Sequence, residues 1–426
     1  MRIKHTYMDD KLYKKLICYR RELHKYPETG WMEYRTSNMI AGVLETLGFE
    51  VFLGKDVCLA SKRMGLPSEE QLRFCENRAL EEGVSPERMA KMRYGHTGVI
   101  GVLRGSTDGD IRAVRFDIDA LPINEAETQH GKEYRSIHRD TMHACAHDGH
   151  IAAGLGLAEI LCKNRDRIKG EIRLIFQPAE EGCRGAAAVV DKGWLDNVDL
   201  FLAGHIGMQC RNLGEVAACT SGFLSTTKLN IRFSGVAAHA AKCPENGKNA
   251  LLAAAVFTQN AYAISRNGKG GTRINIGRFE SGNGRNIIAD EAYIEAETRG
   301  DSPELNGYMR EKVICTAKAS AAMYGVSCGI DIVGEVGSGK SDRSVIQHMR
   351  GAAEAMGISD FYIEDAYFTA SEDAVTMMKK VQESGGRAGY FMFGTPLEAE
   401  HHQYNFDFDE EVMKVMAEFY SQALLK

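Results

Sequence analysis

Apolar residues follow two periodicities along the first half of the chain. Residues 9–25 and 34–48 repeat apolar positions every three to four residues, which predicts two amphipathic helices. From residue 111 onward, apolar runs that predict strands alternate with helical stretches, in the order IRAVRF, helix 148–163, EIRLIFQP, helix 184–192 and DLFLAGHI. This alternation is typical of an α/β domain with a largely parallel sheet.

The pattern changes near residue 219. The segments LSTTKLNIRFSG, TRINIGRFESG and DEAYIEAETRG alternate apolar and polar positions, as strands of a half-exposed antiparallel sheet do. Helical stretches 247–266 and 302–324 lie among these strands. Helix 341–356, the strand AGYFMFG and helix 409–425 then resume the first pattern.

These changes predict two domains, one of them discontinuous. We expect residues 1–218 and 338–426 to form an α/β domain, and residues 219–337 to form a smaller α+β domain inserted into it. A chain of 426 residues is long enough for two domains, each with its own core.

A segment at 55–94, rich in Arg, Glu and Met, precedes the strand GVIGVLRG. It interrupts the strand pattern, so we interpret it as an insertion within the larger domain. Ser68 and Ser85 each stand where a serine could begin a short helix.

Composition excludes several classes of protein. The chain has 52 Lys and Arg against 58 Asp and Glu, and a net charge of −6 argues against nucleic-acid binding. No apolar run approaches the ~20 residues that a membrane span needs. The N-terminal segment lacks the apolar stretch of a signal peptide, and the 11 cysteines show no paired spacing. We therefore expect a cytoplasmic protein with no nucleic-acid or membrane partner.

Groups suited to binding metal follow four of the predicted strands. In open α/β sheets, functional side chains gather at the carboxyl ends of the strands. A single such residue is more often structural, but four strand ends with this chemistry indicate a shared site. The residues are Asp117 and Asp119 after IRAVRF, Glu180 and Glu181 after EIRLIF, His205 in DLFLAGHI, and His401 and His402 after AGYFMFG.

A further set of ligand types lies in the segment HACAHDGH, which contains Cys145 and His147. Thiolate, imidazole and carboxylate together are the ligands of a borderline transition metal. A thiolate can also bridge two ions. In the pair Glu180-Glu181, one carboxylate could bind metal while the other takes a proton from the attacking water.

With these residues in place, the chain resembles the amidohydrolase branch of the M20 metallopeptidase family, which includes aminoacylase-like and hippurate-hydrolase-like enzymes. The resemblance implies a zinc-peptidase-like α/β catalytic domain with an inserted α+β lid or dimerisation domain. It extends in order over residues 20–410, through RRELHKYPETGWMEYRT, RFDIDALPINEA, MHACAHDGHIAAGLG, IFQPAEEG, AGHIG, SGVAAHAAKCPENGKNAL and HHQYNFDFDEE.

The resemblance also implies roles at the metal centre. Two divalent ions, manganese or zinc, would be bound, with Cys145 bridging them and Glu180 acting as the general base. Counting back from the closing pattern Phe406-Asp407-Phe408 favours His402 over His401 as the last ligand. The implied ligands are Cys145, His147, Glu181, His205 and His402.

Four more residues acquire roles from the same resemblance. Asp119 would orient a ligand without binding metal itself. His239 resembles a lid histidine that reaches a neighbouring protomer's site and polarises the scissile carbonyl. Asn286 and Arg299 resemble lid residues that hold the carboxylate of the substrate. The chain departs from the branch at Ala146, where glycine is usual.

The insertion at 55–94 and the form AAHAAKCPENGKNAL resemble one group in the family, the larger-lettered first components of p-aminobenzoyl-glutamate hydrolases. This implies cleavage of p-aminobenzoyl-glutamate to p-aminobenzoate and glutamate, by a homodimer or by a heterodimer with a related chain. The alternative substrate class is that of a hippurate-type aminoacylase of the same family.

Functions of other classes fit the sequence less well. Residues 334–341, GEVGSGKS, match the phosphate-loop pattern, but only 85 residues follow, without a strand that ends in an Asp suited to Mg²⁺. His147-Asp148 suggests a phosphohydrolase of the His-Asp type, but those folds are helical. An inactive binding protein would lack a ligand or the base, and none is missing.

Overall fold

The computed structural model describes residues 3–127, 133–362, 368 and 370–425. The chain packs as two units. The first unit consists of Met1–Gly222, Gly339–Phe368 and Asp373–Lys426, and the second of Phe223–Ser338 with Thr369–Glu372.

Helices and strands follow the chain in this order. The helices in the described residues are α1 (Asp10–Lys25), α2 (Tyr34–Thr46), α3 (Glu69–Glu81), α4 (Pro86–Met92), α5 (His147–Lys163), α6 (Ala186–Asp191), α7 (Ala250–Tyr262), α8 (Pro303–Tyr324), α9 (Arg343–Met356), α10 (Ala374–Glu383) and α11 (Val412–Leu424). The strands there are β1 (Glu50–Leu53), β2 (Val99–Arg104), β3 (Thr107–Asp117), β4 (Lys169–Gln177), β5 (Leu200–Ile206), β6 (Val216–Ala218), β7 (Ser225–Ser234), β8 (Thr272–Ser281), β9 (Glu291–Gly300), β10 (Ser327–Val336), β11 (Phe361–Tyr362) and β12 (Arg387–Phe393).

The first unit contains an eight-stranded sheet in the order β1-β2-β4-β3-β5-β12-β6-β11. The four central strands, β4, β3, β5 and β12, are parallel. The pairs β1–β2, β2–β4 and β12–β6 are antiparallel, so the prediction of a largely parallel sheet is correct at the centre and wrong towards the edges. Only Gly105 and Ser106 separate β2 from β3, which is too short for the crossover that parallel strands require.

Helix α5 is the central helix of the first unit, and nearly all of its 17 residues are buried. Its small residues allow the neighbouring strands to approach closely. A Cβ atom added at Gly154 would lie 2.8 Å from both Phe116 on β3 and Phe176 on β4. Helices α1 and α11 pack on the other sides of α5. The start of α5, where His147 lies, is therefore fixed by packing from several directions.

The segment predicted as an insertion, 55–94, contains α3 and α4. The Ser68 side chain accepts a hydrogen bond from the Gln71 backbone and the Gln71 side chain accepts one in return, which forms a capping box at the start of α3. Ser85 caps α4 in the same way through the Arg88 amide. The segment connects β1 and β2, which are neighbours in the sheet.

The second unit contains an antiparallel sheet in the order β10-β7-β9-β8. The predicted alternation is visible on β9, where Ala292 and Ile294 point into a core and the residues between them are half-exposed. Phe233 on β7, Phe257 on α7 and Met309 on α8 complete this core. One face of the sheet is covered by helices, as expected of an α+β unit. The mixed α/β sheet and this second sheet confirm the predicted fold class.

The phosphate-loop pattern at 334–341 does not form a phosphate loop. Gly334, its first residue, lies within β10 and pairs with Lys228 of β7. The hydroxyl of Ser341, which would have to hold magnesium, is buried and donates to the Cys219 carbonyl at 2.8 Å. Helix α9 starts only at Arg343, so its first amides do not surround the pattern.

A glycine pair tests the packing of α5. Gly154→Ala places a methyl group against two aromatic rings, and overpacking of this kind lowers the free energy of unfolding by about 1–3 kcal/mol. Gly42→Ala in α2 meets no atom within 4 Å, so it raises that free energy by about 0.5–1 kcal/mol through helix propensity. Urea denaturation of both variants measures the difference, and equal effects would contradict the close packing of α5.

Candidate metal centre

The carboxyl ends of the four parallel strands carry the side chains that the sequence analysis predicts to be functional. Strand β3 is followed by Asp119 and β4 by Glu180 and Glu181, whereas β5 contains His205 and β12 is followed by His402. Adjacent parallel strands end at the same edge of a sheet. Residues that are far apart in sequence therefore lie close together there.

The start of α5 adds Cys145 and His147 to these side chains. Between them, Ala146 is in the left-handed region with φ 63°, which turns the chain sharply into the helix. Four groups of three donors, each with ligand atoms within 4.8 Å of one another, lie in this part of the structure. They are Cys145, His147 and His205; Cys145, Glu181 and His402; His147, Glu180 and Glu181; and Asp117, His147 and His150.

Two of the histidines are oriented by backbone carbonyls. The Nδ1 atom of His147 donates to the Asp119 carbonyl at 2.8 Å, and Nδ1 of His205 donates to the Ile206 carbonyl at 2.8 Å. In each ring this leaves Nε2 facing the cluster, and Nε2 of His205 lies 3.4 Å from the Cys145 sulfur. Burial and the neighbouring His150 hold the pKa of His205 well below its usual range, which keeps its lone pair free.

Asp119 positions the Glu180-Glu181 pair. One carboxylate oxygen accepts from the Glu180 amide at 3.0 Å, and the other accepts from the Glu181 amide at 2.9 Å. Its carbonyl accepts from His147, as described above. Asp119 thus fixes one imidazole and two consecutive glutamates while its own carboxylate is used by backbone amides, the geometry expected of a residue that orients ligands.

Glu33 supports the same turn from below. Its side chain is fully buried and accepts hydrogen bonds from the Ala179 amide at 2.8 Å and the Thr97 hydroxyl at 2.5 Å. Burial and the nearby Asp119 charge raise the pKa of Glu33 to about 8. The sequence analysis quotes the stretch that contains Glu33 without assigning it a role, because a glutamate at a helix start gives no sign of such contacts.

Arg184 ties this turn to the inserted segment. Its Nε atom donates to the Glu181 carbonyl at 2.8 Å, and its Nη1 atom donates to the Gly65 carbonyl at 3.0 Å. The guanidinium also lies directly against Gly30, where a Cβ atom would be 2.2 Å from Nη2. The backbone of Glu181 and the segment 55–94 are therefore held by one side chain.

A layer of buried charge lies beneath the cluster. His150 donates from Nδ1 to Asp117 at 2.5 Å, and Arg115 donates to Asp117 at 2.7 Å and to Asp373 at 3.0 Å. Although burial alone would raise it, the charges of His147, His150 and Arg115 hold the pKa of Asp117 well below its usual range. The same carboxylate, with Asp119, raises the pKa of His147 to about 10 against the effect of burial.

The sequence analysis assigns no role to His150, Arg115 or Asp373. His150 lies in the ligand-rich segment, and the arginine inside the apolar strand IRAVRF is itself a signal of a buried partner. Nothing near Asp373 in the sequence indicates that it supplies this partner.

A second buried network anchors the start of α5. Arg20 of α1 forms ion pairs with Asp148, through Nε at 2.9 Å, and with Asp407, through Nη2 at 2.6 Å. His24 lies 2.8 Å from Asp148, and together with Arg20 it lowers the pKa of that carboxylate against the effect of burial. Arg20 thereby connects the helix that begins at His147 with the chain segment that follows His402.

The structure distinguishes the two adjacent histidines. His402 has φ 67° and lies with Nε2 3.4 Å from Glu181, in a ligand group with Cys145. His401 points the other way, with Nε2 3.1 Å from the Ile206 carbonyl and its ring 4.8 Å from that of Phe406. Burial lowers the pKa of His401 to about 4. The geometry therefore favours His402 as a ligand.

The residues predicted to contact substrate lie in the second unit. The Nδ1 atom of His239 accepts from the Ala241 and Lys242 amides at 3.2 and 3.1 Å, so the neutral ring carries its hydrogen on Nε2. His239 is exposed and pairs with the chain beside Asn286 through a bridge to Ile287. Arg299 lies on β9, half-buried, in the outward-facing row of that strand.

The donors at the strand ends fit divalent metal ions. Nε2 of His147 is buried and has no hydrogen-bond partner within the described ranges, although it is directed into the cluster. Thiolate, imidazole and carboxylate are the donor types that zinc and similar ions take in proteins. Two of the groups share Cys145, so one sulfur lies within reach of two ion positions.

Where the structure describes the chain, no helix is both long and apolar enough to span a membrane. The fold and the cluster define a class: an α/β hydrolase whose metal-binding side chains lie at the carboxyl ends of parallel strands, with an α+β unit inserted. Residues 113–426 match the model of peptidase family M20/M25/M40, and the chain belongs to this family.

Relatives and solved structures agree with this assignment. The chain is 41% identical to indole-3-acetyl-aspartic acid hydrolase of Enterobacter agglomerans, over 96% of this chain and 94% of that protein. It is 40% identical to the A-type component of p-aminobenzoyl-glutamate hydrolase, one of that enzyme's subunits, of Escherichia coli K12, over 96% and 95%.

An aminobenzoyl-glutamate utilization protein from Klebsiella pneumoniae superposes with a TM-score of 0.83 at 36% identity, over 97% of this chain and 96% of that one. A Bacillus subtilis protein described as a dinuclear metal-binding peptidase from the M20 family superposes with a TM-score of 0.68 at 25% identity, over 98% of each chain. The resemblance seen in the sequence is thereby confirmed, and the chain is a hydrolase.

The buried charge layer can be tested through Arg115. Arg115→Met leaves Asp117 and Asp373 buried without their shared cation, so we expect a loss of about 3–5 kcal/mol in the free energy of unfolding. Arg104→Met is the matched control, because Arg104 is exposed and its ion pairs with Glu50 and Glu171 contribute about 0–1 kcal/mol. Denaturant titration compares the two. A loss at Arg115 no larger than at Arg104 would contradict the buried role.

Proposed function

We propose that this protein is a dinuclear metal-dependent amidohydrolase that cleaves the amide bond of an N-acyl amino acid, with p-aminobenzoyl-glutamate as its substrate. The observation that carries the proposal is the cluster of Cys145, His147, Glu181, His205 and His402, in which two ligand groups share the Cys145 sulfur. The named relatives act on amino-acid conjugates, which supports the substrate class.

The five residues of that cluster would hold two divalent ions, manganese or zinc, with Cys145 between them. When bound, such ions make water more acidic and stabilise negative charge on a carbonyl oxygen. Asp119, and beneath it Glu33, keep the ligands in place through the contacts described above.

Glu180 is the general base of the proposed mechanism. It lies within 4.8 Å of the ligand atoms of His147 and Glu181, and the Asp119 bond to its amide fixes its backbone. Glu180 accepts a proton from the attacking water as the water oxygen bonds to the carbonyl carbon. The carbon–nitrogen bond then breaks, and the proton passes from Glu180 to the leaving amine.

The second unit supplies the remaining groups. With its hydrogen on Nε2, His239 can donate to the oxygen that becomes negative in the transition state, in its own protomer or in a neighbouring one. Asn286 and Arg299 hold the carboxylate of the amino acid, for which the planar donor fork of arginine is suited.

The partner and the compartment are part of the proposal. The Escherichia coli relative is named as one of several components of its enzyme, which suggests a heterodimer with a related chain, and the other arrangement is a homodimer through the second unit. All 11 cysteines of the chain are free thiols, as expected in the reducing cytoplasm, where we propose that the protein acts.

Two further substrates remain in the same class. The relative named indole-3-acetyl-aspartic acid hydrolase favours an indoleacetyl conjugate as the second candidate. Hippurate, the substrate of the aminoacylase alternative, lacks an acidic side chain and serves as the comparison.

Release of p-aminobenzoate tests the proposal directly. Purified protein loaded with manganese or zinc should hydrolyse p-aminobenzoyl-glutamate, and a chelator should abolish the activity. Hydrolysis of hippurate alone would support the aminoacylase alternative. Activity that persists after the chelator has removed all bound metal, measured on the same sample, would contradict a metal-dependent mechanism.

Two neighbouring glutamates provide a matched test of the roles. Glu180→Gln should lower kcat by about 100-fold or more, because a positioned base contributes roughly 10²–10⁴ in rate, while the metal content is retained. Glu181→Gln should reduce the metal content itself. His239→Ala should lower the rate without loss of metal. Elemental analysis and steady-state kinetics on the same preparations distinguish the three, and near-normal turnover in Glu180→Gln would refute its role.

A further inference from the structure

Two arginines stand directly opposite each other on the exposed face of the second unit's sheet. Arg273 of β8 is the register partner of Arg299 of β9, and Asn275 is the partner of Glu297 two residues further along. Side chains two residues apart on a strand share a face, so all four project from the same side. They line a cavity of about 230 Å³ together with Leu224 and Ile274.

The charges in this cavity are not balanced by the protein. Glu297 accepts from Arg299 at 2.9 and 3.2 Å, but Lys228 also donates to it at 2.6 Å. Although burial opposes it, these cations lower the pKa of Glu297, which is therefore ionised at neutral pH. Arg273 has no ion-pair partner among the residues that the structure describes. One carboxylate thus faces three cations.

Like charges directly across a strand pair destabilise a sheet unless something neutralises them. Glu297 carries one negative charge and is shared with Lys228, so the two guanidinium groups are left with an excess of positive charge. Each guanidinium presents a planar fork that matches a carboxylate. A ligand with two carboxylates satisfies both arginines, whereas a ligand with one leaves Arg273 unused.

We propose that Arg273 recognises the side-chain carboxylate of the substrate's amino acid, while Arg299 holds its α-carboxylate. This would select conjugates of glutamate or aspartate over conjugates of neutral amino acids. The inference rests on the proposed function, and it adds the residue that determines specificity. The names of two similar proteins, which act on an aspartate and a glutamate conjugate, are in accord with it.

The test compares p-aminobenzoyl-glutamate with p-aminobenzoyl-glutamine, which differ only in the charge of the side chain. Wild-type protein should prefer the glutamate conjugate. Arg273→Gln should lower kcat/KM for that conjugate by about 10- to 100-fold, chiefly through KM, because one charge-assisted hydrogen bond pair is lost. The rate on the glutamine conjugate should change less than about twofold on the same grounds, which also shows that the variant is folded. Arg273→Lys should restore part of the preference.

Arg278→Gln is the matched control. Arg278 lies on the same strand and is also exposed, but it already pairs with Glu280 and Glu295 and lies outside the cavity. This variant should keep the wild-type preference. If Arg273→Gln keeps it too, or loses activity equally on both conjugates, the specificity role is wrong while the proposed function stands. If wild-type protein cleaves neither conjugate, the proposed function fails, and this inference fails with it.

Discussion

Charge compensation inside the first unit is the constraint on which the rest of the structure depends. Asp117 and Asp373 are buried carboxylates, and both are neutralised by the single guanidinium of Arg115. Moving a charge from water into a protein interior costs several kcal/mol unless partners offset it. The partners here come from β3 itself and from the start of α10, so the charges can be buried only when distant parts of the chain have assembled. The strand ends that carry the ligand cluster are held in place by this assembly.

Local backbone strain is concentrated around the same cluster. Ala146, Ala179, Cys183 and His402 are non-glycine residues with φ between 52° and 67°, and each adjoins or belongs to a ligand-bearing turn. A left-handed conformation costs such residues of order 1 kcal/mol each, which packing and hydrogen bonds elsewhere must offset. Bonds from Asp119 and Glu33 to the amides of this turn are among those that do so. The departure from glycine at Ala146 is accommodated in this way, since its methyl group is fully buried at the start of α5.

The sequence predicts much of this arrangement, because strands are apolar runs and ligands are rare residue types at their ends. The fold class and the family follow from these signals, and both are confirmed. The roles of the individual site residues stay predictions, to which the structure adds their proximity. Residues 401 and 402 are equivalent as a sequence pattern, and only the turn at φ 67° directs one of them into the cluster. Arg115 and Asp373 are 258 residues apart, and no local pattern relates them. The antiparallel strands at the sheet edges and the short helix α10 are not predicted either, because pairing direction and ten-residue helices leave weak periodic signals.

The hydrogen bond from Arg184 to Gly65 bears on how the segment 55–94 could be gained or lost in evolution. A surface insertion can usually be deleted without effect on the site, since it contacts only its own residues. Here the arginine that supports the Glu181 carbonyl has its other support in the insertion itself. A descendant lacking residues 55–94 would need a new partner for Arg184 or a different residue in its place. The insertion and the turn that carries the two glutamates are therefore expected to be inherited together, as one unit of change.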